Sequence, residues 1–330
     1  MTSFTNKFLN NIKILIKLFL LKLKFLPIAY IQNLYNNQFL KKILPISPEI
    51  NIYFKNIFTK GNSSFKINKG TKISNIGSCY GVRVSNFLSK GNYNYLQYED
   101  NITNASVNWG HVYNIENLCQ IINYSINENY KLIIEKCKNG YFDPLRASTI
   151  GYYKTLAEAK KKILRHRKKS YLLFKNVDVL IITIGQNEGW FDKKNNIVWG
   201  FNPPFDFQMN KKRFEYKEFD FNQNLKSLKK ALYSLKKFNK DLKIIFAVGP
   251  VSNYTTFLEN NVICQSYVEK SNLRLVFHSL EKDKRLNVAY FPLLEMVHLN
   301  NNKNFSLDNR HISNKLIKKI DDCLQTFLKF

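Results

Sequence analysis

The run Val177-Asp-Val-Leu-Ile-Ile-Thr-Ile184 limits the fold more than any other stretch of this 330-residue chain. Six of its eight residues are β-branched, and apolar side chains fall on both of its alternating faces. A strand of that kind has to be covered on both sides, which happens in parallel sheets sandwiched by helices. Lys243–Val248 (KIIFAV) has the same character, and Lys72–Ile76 and Asn287–Phe291 are shorter candidates. Helical periodicity fills the intervals, over Gly81–Leu88, Ile115–Tyr124, Thr155–Phe174, Asn222–Phe238, Cys264–Leu280 and Ser313–Leu328. Strands alternating with helices predict an α/β domain with a mainly parallel central sheet. The expected organisation is a basic amphipathic segment over residues 1–50, a connector over 51–70 and the α/β domain over 71–330.

The formal net charge of +27 invites a nucleic-acid reading, but composition argues against it. Of 51 basic residues only eight are Arg, the side chain whose planar fork reads phosphates and guanine edges. No zinc-finger spacing, RNA-binding aromatic signature or helix-turn-helix pattern is present, so no nucleic-acid partner is expected. The five cysteines (79, 119, 137, 264 and 323) are odd in number and form no Cys-x-x-Cys pair. They fit neither a disulfide framework nor a zinc site, so the expectation is a reducing, cytoplasmic compartment and no metal or other cofactor.

Residues 8–31 are strongly apolar but interrupted by Lys13, Lys17, Lys22 and Lys24. At 100° per residue, Lys13, Lys17 and Lys24 share a sector of about 40°, opposite a broad Ile/Leu/Phe face. Two readings stand. One is a helix lying in an anionic membrane interface, which would place the protein peripherally on the inner face of the membrane. The other is a helix docked on the domain itself.

Four polar groups follow the strand candidates, where open parallel sheets bind their ligands. They are Gly77-Ser78-Cys79, Gly185-Gln186-Asn187-Glu188, Gly249-Pro250-Val251-Ser252 and Asp308-Asn309-Arg310-His311. A serine hydroxyl attacks only when a histidine takes its proton and a carboxylate holds that histidine in place. Ser78 at a strand-to-helix turn, with Asp308 and His311 three residues apart, supplies those parts. The backbone N–H groups of Ser78 and Gly110, with Asn187, are the expected oxyanion donors. Singly, each has a plainer role: Ser78 as a helix cap, Asp308 and Asn187 as turn residues. No Gly-x-Ser-x-Gly is present, which argues against the α/β-hydrolase arrangement.

The segment IGSCYGVRVSNFL (76–88) resembles the signature of the GSCFA family, with Tyr80 and Gly81 in place of its Phe and Ala. The similarity continues through NWGHVYN (108–114), FDPLR (142–146), DVLIITIGQNEGW (178–190), AVGPVS (247–252), KSNLRLVFHSL (270–280), VAYFPLLEMV (288–297) and DNRHIS (308–313). The resemblance implies a three-layer fold of the SGNH (GDSL-like) hydrolase superfamily, although Glu188 stands where that superfamily carries Asp. It implies Ser78 as nucleophile, Asp308 and His311 as its partners, and Gly110 and Asn187 at the oxyanion. It further implies a serine esterase or acyltransferase acting on O-acyl groups of a carbohydrate through an acyl-serine intermediate. Trp109, Tyr113 and Trp190 are candidates to stack on sugar rings, with core packing as their plainer role, and Arg146 is a candidate to pair with an acidic glycan. The competing expectation is a non-catalytic glycan-binding or membrane-attached scaffold of the same fold.

The interfacial reading of residues 8–31 has a direct test. The full chain is expected to sediment with anionic vesicles, and a version starting at residue 45 is expected to stay in the supernatant. Equal sedimentation of the two would refute it.

Overall fold

The computed structural model describes residues 65, 67–100, 105–146, 150–298, 304–308 and 310–328. The amphipathic stretch 8–31 and most of the connector lie outside the described residues.

The domain opens with β1 (Lys72–Gly77), α1 (Cys79–Lys90), β2 (Asn94–Tyr95) and α2 (Ile115–Ile126). A hairpin of β3 (Glu135–Cys137) and β4 (Gly140–Phe142) precedes the long α3 (Leu156–Asn176). After β5 (Val179–Ile184) come β6 (Glu188–Asp192), β7 (Ile197–Val198), α4 (Phe205–Gln208) and β8 (Phe214–Glu218). Alternation then resumes with α5 (Phe221–Phe238), β9 (Lys243–Val248), α6 (Val262–Glu281), β10 (Val288–Tyr290), α7 (Leu293–His298) and α8 (Asn314–Leu328). Side chains begin several helices where the sequence places a capping residue. Asn114, Thr155, Asp220 and Asn261 accept first-turn N–H bonds of α2, α3, α5 and α6, each worth about 1 kcal/mol.

Five strands form one sheet in the order β2-β1-β5-β9-β10, and every pairing in it is parallel. The β5 side chains divide cleanly between the faces. Leu180, Ile182 and Ile184 enter one core with α2, α5 and α6, while Val179 and Ile181 enter a second core with α1 and α8. All six β5 residues are buried, which is why no polar residue except Thr183 interrupts the run. Helices on both faces make this a three-layer α/β domain, as the strand pattern predicts.

The order of the strands matters for function. From β1 the chain moves outward to β2, then returns across β1 to β5 and continues the other way. The two directions part between β1 and β5, and the carboxyl ends of those strands border a crevice at the switch point.

A smaller piece was not legible in the sequence. β6 pairs antiparallel with both β7 and β8, and with the β3–β4 hairpin it surrounds a third core containing Phe142, Trp190, Trp199 and Phe214. These strands have two to five residues, too few for a periodic signal to form.

One buried contact makes the fold sensitive to acid. His166 on α3 is buried and shares a 2.8 Å hydrogen bond from Nδ1 to Glu99. Burial, helped by the Arg146 charge, lowers its pKa from 6.5 to about 4 despite the pull of Glu99. The folded protein therefore keeps His166 neutral while the unfolded chain protonates it, so stability is full above pH 6.5 and falls as pH drops toward 4. In urea unfolding, His166→Gln is expected to remove about 3 kcal/mol of that loss between pH 7 and 4. A pH dependence identical to that of the parent would contradict this account.

Candidate active site

Ser78 follows β1 directly and caps the start of α1. Gly77 determines where it sits. Gly77 is opposite Thr183 in the β1–β5 register. A Cβ added there would lie 2.9 Å from the Thr183 nitrogen and nearer still to its carbonyl and hydroxyl oxygens. Only glycine permits that approach, and it brings Ser78 N–H within 2.8 Å of the Thr183 carbonyl, to which it donates. This geometry corrects one expectation: the Ser78 N–H completes the ladder and is not an available oxyanion donor. The Ser78 side chain makes no cap bond, and among the described residues its hydroxyl has no hydrogen-bond partner. It lies close to Gly249, where an added Cβ would sit 3.2 Å from Oγ.

Ser78 lines a cleft at the switch point together with Cys79, Tyr113, Gly185, Gln186, Gly249 and Arg310. Asp308 and His311 occupy the loop that returns from α7 toward α8. Asp308 bonds the His311 ring through Oδ2 and Nδ1, and its Oδ1 accepts the backbone N–H groups of Arg310 and His311. Those bonds hold the Asp308 carboxyl down at about 2. The Asp–His half of the expected triad is therefore assembled. The Ser–His half is not bonded among the described residues. Ser78 is 5% exposed and the His311 side chain 55%, and the residue of that loop which lines the cleft is Arg310. Arg310 is anchored by its Nε to the Ser252 carbonyl at 2.7 Å.

The remaining predicted residues separate into groups. Tyr113 lines the cleft, and burial raises its hydroxyl to about 12. Gly110 has a positive φ of 74°, and its loop is tied to β1 by the Val112 N–H to the Gly77 carbonyl, but it does not line the cleft. Asn187 is a correction: its side-chain amide is buried and donates to Glu218 and to the Phe219 carbonyl, so it braces β8 and does not face Ser78. Trp109 is a further correction, since it is buried, stacks on Phe174 and donates its indole N–H to Ser170. Trp190 borders a groove adjoining the cleft, whereas Arg146 borders a different depression next to His166.

That groove, of about 310 Å³, shares Tyr113, Gln186 and Arg310 with the cleft and continues to Trp190, Tyr216, Tyr254 and Phe257. Its floor is a polar network absent from the sequence expectations. Glu188 accepts from Tyr216, Thr256 and Asn253, and Asn253 also donates to Glu269 at 2.6 Å. Lys270, fully buried, donates to the Gly185 carbonyl. Burial raises the pKa of Glu188, raises that of Glu269 with help from the Glu188 charge, and lowers that of Lys270. Helical spacing was the available signal, since Glu269 falls in line with Leu273, Val276 and Leu280 on the buried face of α6.

The cleft also weighs the neighbouring thiol against the hydroxyl. Cys79 lines it too, but burial raises its pKa, with Arg310 offsetting only part of that, and a protonated thiol is a poor nucleophile.

A family model described as the GSCFA family matches residues 72–324. The chain belongs to the GSCFA family. No curated protein and no solved structure matches it. The matched segment begins at the first residue of β1 and ends inside α8.

Gly77→Ala is expected to cost 3 kcal/mol or more, since backbone as well as side chain must move. Gly70→Ala, whose added Cβ would meet only Asn68 Oδ1 at 3.4 Å, is expected to be near neutral. Urea midpoints measure both, and a Gly77→Ala protein as stable as the parent would overturn the close-approach argument.

Proposed function

We propose that this protein is a serine esterase or acyltransferase of the SGNH type, acting on O-acyl groups of a carbohydrate. The observation that carries the reading is the preformed Asp308–His311 pair in the same short loop as Arg310, which lines the cleft over Ser78. Ser78 attacks the ester carbonyl, and His311 takes its proton and later returns it to the leaving alcohol. Asp308 fixes the tautomer of His311 and stabilises the imidazolium. Catalysis needs His311 within hydrogen-bond reach of Ser78, and such bonds are often long before substrate binds.

With the Ser78 N–H engaged by Thr183, the oxyanion falls to other donors. Arg310 borders the cleft, its guanidinium is held only through Nε among the described residues, and the N-terminus of α1 adds a favourable dipole. The adjoining groove supports the carbohydrate assignment. Tyr254 is 83% exposed and Phe257 46%, offering ring faces for sugar C–H groups, while Asn202 offers a polar partner for hydroxyls.

The test pairs an activity assay with a probe that needs no substrate knowledge. Ser78→Ala, Asp308→Ala and His311→Ala are each expected to lower turnover of an acetylated sugar by ~10³-fold or more, because the three act as a unit. Cys79→Ala is expected to retain most of it. A fluorophosphonate is expected to label Ser78 and nothing at Cys79. Parent-level turnover in Ser78→Ala would end the serine reading. Absence of both turnover and labelling in the parent, with glycan binding retained, would leave the non-catalytic scaffold.

A further inference from the structure

A second depression, of about 330 Å³, lies against α3 and shares no lining residue with the cleft or the groove. Its inner wall carries Arg146, which is only 5% exposed. Among the described residues Arg146 forms no ion pair, and its Nε is buried without a hydrogen-bond partner. Its neighbours on α3 make the opening basic. Lys162, Arg165 and Lys169 follow one another on α3 at spacings of three and four residues, so all three reach the same opening. The acids in the lining are Glu99 and Asp100. Glu99 is already engaged, accepting from His166 and from the Asn108 N–H. With His166 neutral, four cations face two carboxylates among the described lining residues; Arg146 is partly offset from behind by the buried Asp143 and by a hydrogen bond with Tyr153, which leaves the three cations of α3 in excess at the opening.

We propose that this depression is a binding site for a phosphate monoester, with Arg146 as its anchor and Lys162, Arg165 and Lys169 as its rim. A tetrahedral dianion offers enough acceptors for a guanidinium fork and several ammonium groups at once, which a single carboxylate does not. The volume exceeds that of a phosphate ion and leaves room for a small polar body such as a sugar ring. Tyr98, Tyr153 and Asn108 also line it and add polar groups to its wall. The site does not depend on the chemistry proposed for Ser78.

Calorimetric titration of the full chain with glucose 6-phosphate, inorganic phosphate and glucose tests this. Glucose 6-phosphate is expected to bind and glucose is not. Phosphate binding as tightly as the sugar ester would support the same site with free phosphate as its occupant. Arg146→Gln is expected to weaken binding roughly tenfold or more, the usual effect of losing a charge-assisted hydrogen bond. Because Arg146 is buried, that variant can fail to fold. The exposed pair Lys162→Gln/Arg165→Gln covers this case and is expected to weaken binding severalfold. Lys160→Gln/Lys161→Gln, on the same helix but outside the lining, is the control and should bind as the parent does. Absence of glucose 6-phosphate binding at millimolar concentration would overturn the proposal. So would equal weakening by the two lysine-containing pairs, which would reduce the effect to general attraction by a basic helix.

Discussion

Gly77 and Thr183 face each other across β1 and β5 at a distance that no side chain larger than hydrogen allows, and much else rests on that contact. It closes the ladder between the two strands where the chain reverses its direction of travel through the sheet. It holds the Ser78 backbone by a bond to the Thr183 carbonyl, so the first residue of the cleft is fixed by sheet geometry and not by a loop. Groups on rigid elements keep their positions better than groups on loops. Here the serine has a rigid seat, and the histidine sits on a loop fastened by the Phe305–Ile312 bridge and the Arg310 anchor.

Beneath the groove, the domain tolerates polar groups that an apolar core would reject. Glu188, Glu269, Lys270 and Asn253 are nearly inaccessible, yet each has partners, and the network runs from the end of β5 to the middle of α6. Such a network is stable only if its members are satisfied together. Its members therefore constrain one another, which keeps the groove floor and the Gly185–Gln186 edge of the cleft in one arrangement.

The main sheet and its covering helices were legible because long β-branched runs and 3.6-residue periodicity both report burial, as in Val179–Ile184 and Phe221–Phe238. The Asp308–His311 pair was legible because its members stand only three positions apart. Partner choice over longer range was not. Asn187 sits beside the cleft in sequence but turns its amide to Glu218 and to the Phe219 carbonyl, far along the chain. Trp109 carries the same composition signal as Trp190, yet it fills the space over Phe174 while Trp190 borders the groove. Arg146 suggested an anion by its type, but only the fold shows α3 presenting three more cations to the same opening.

The sheet ends on either side in very short strands, two residues in β2 and three in β10. A long bare edge is a template on which another chain can add a strand, and this chain carries 15% aromatic and 45% hydrophobic residues to feed such growth. Edges of two and three residues expose too few unpaired N–H and C=O groups to hold an incoming strand in register. The same economy of edge confines self-association to routes other than sheet extension. The large positive charge adds mutual repulsion between copies. Among the described residues, the margins of the five-stranded sheet thus offer little backbone for an added strand.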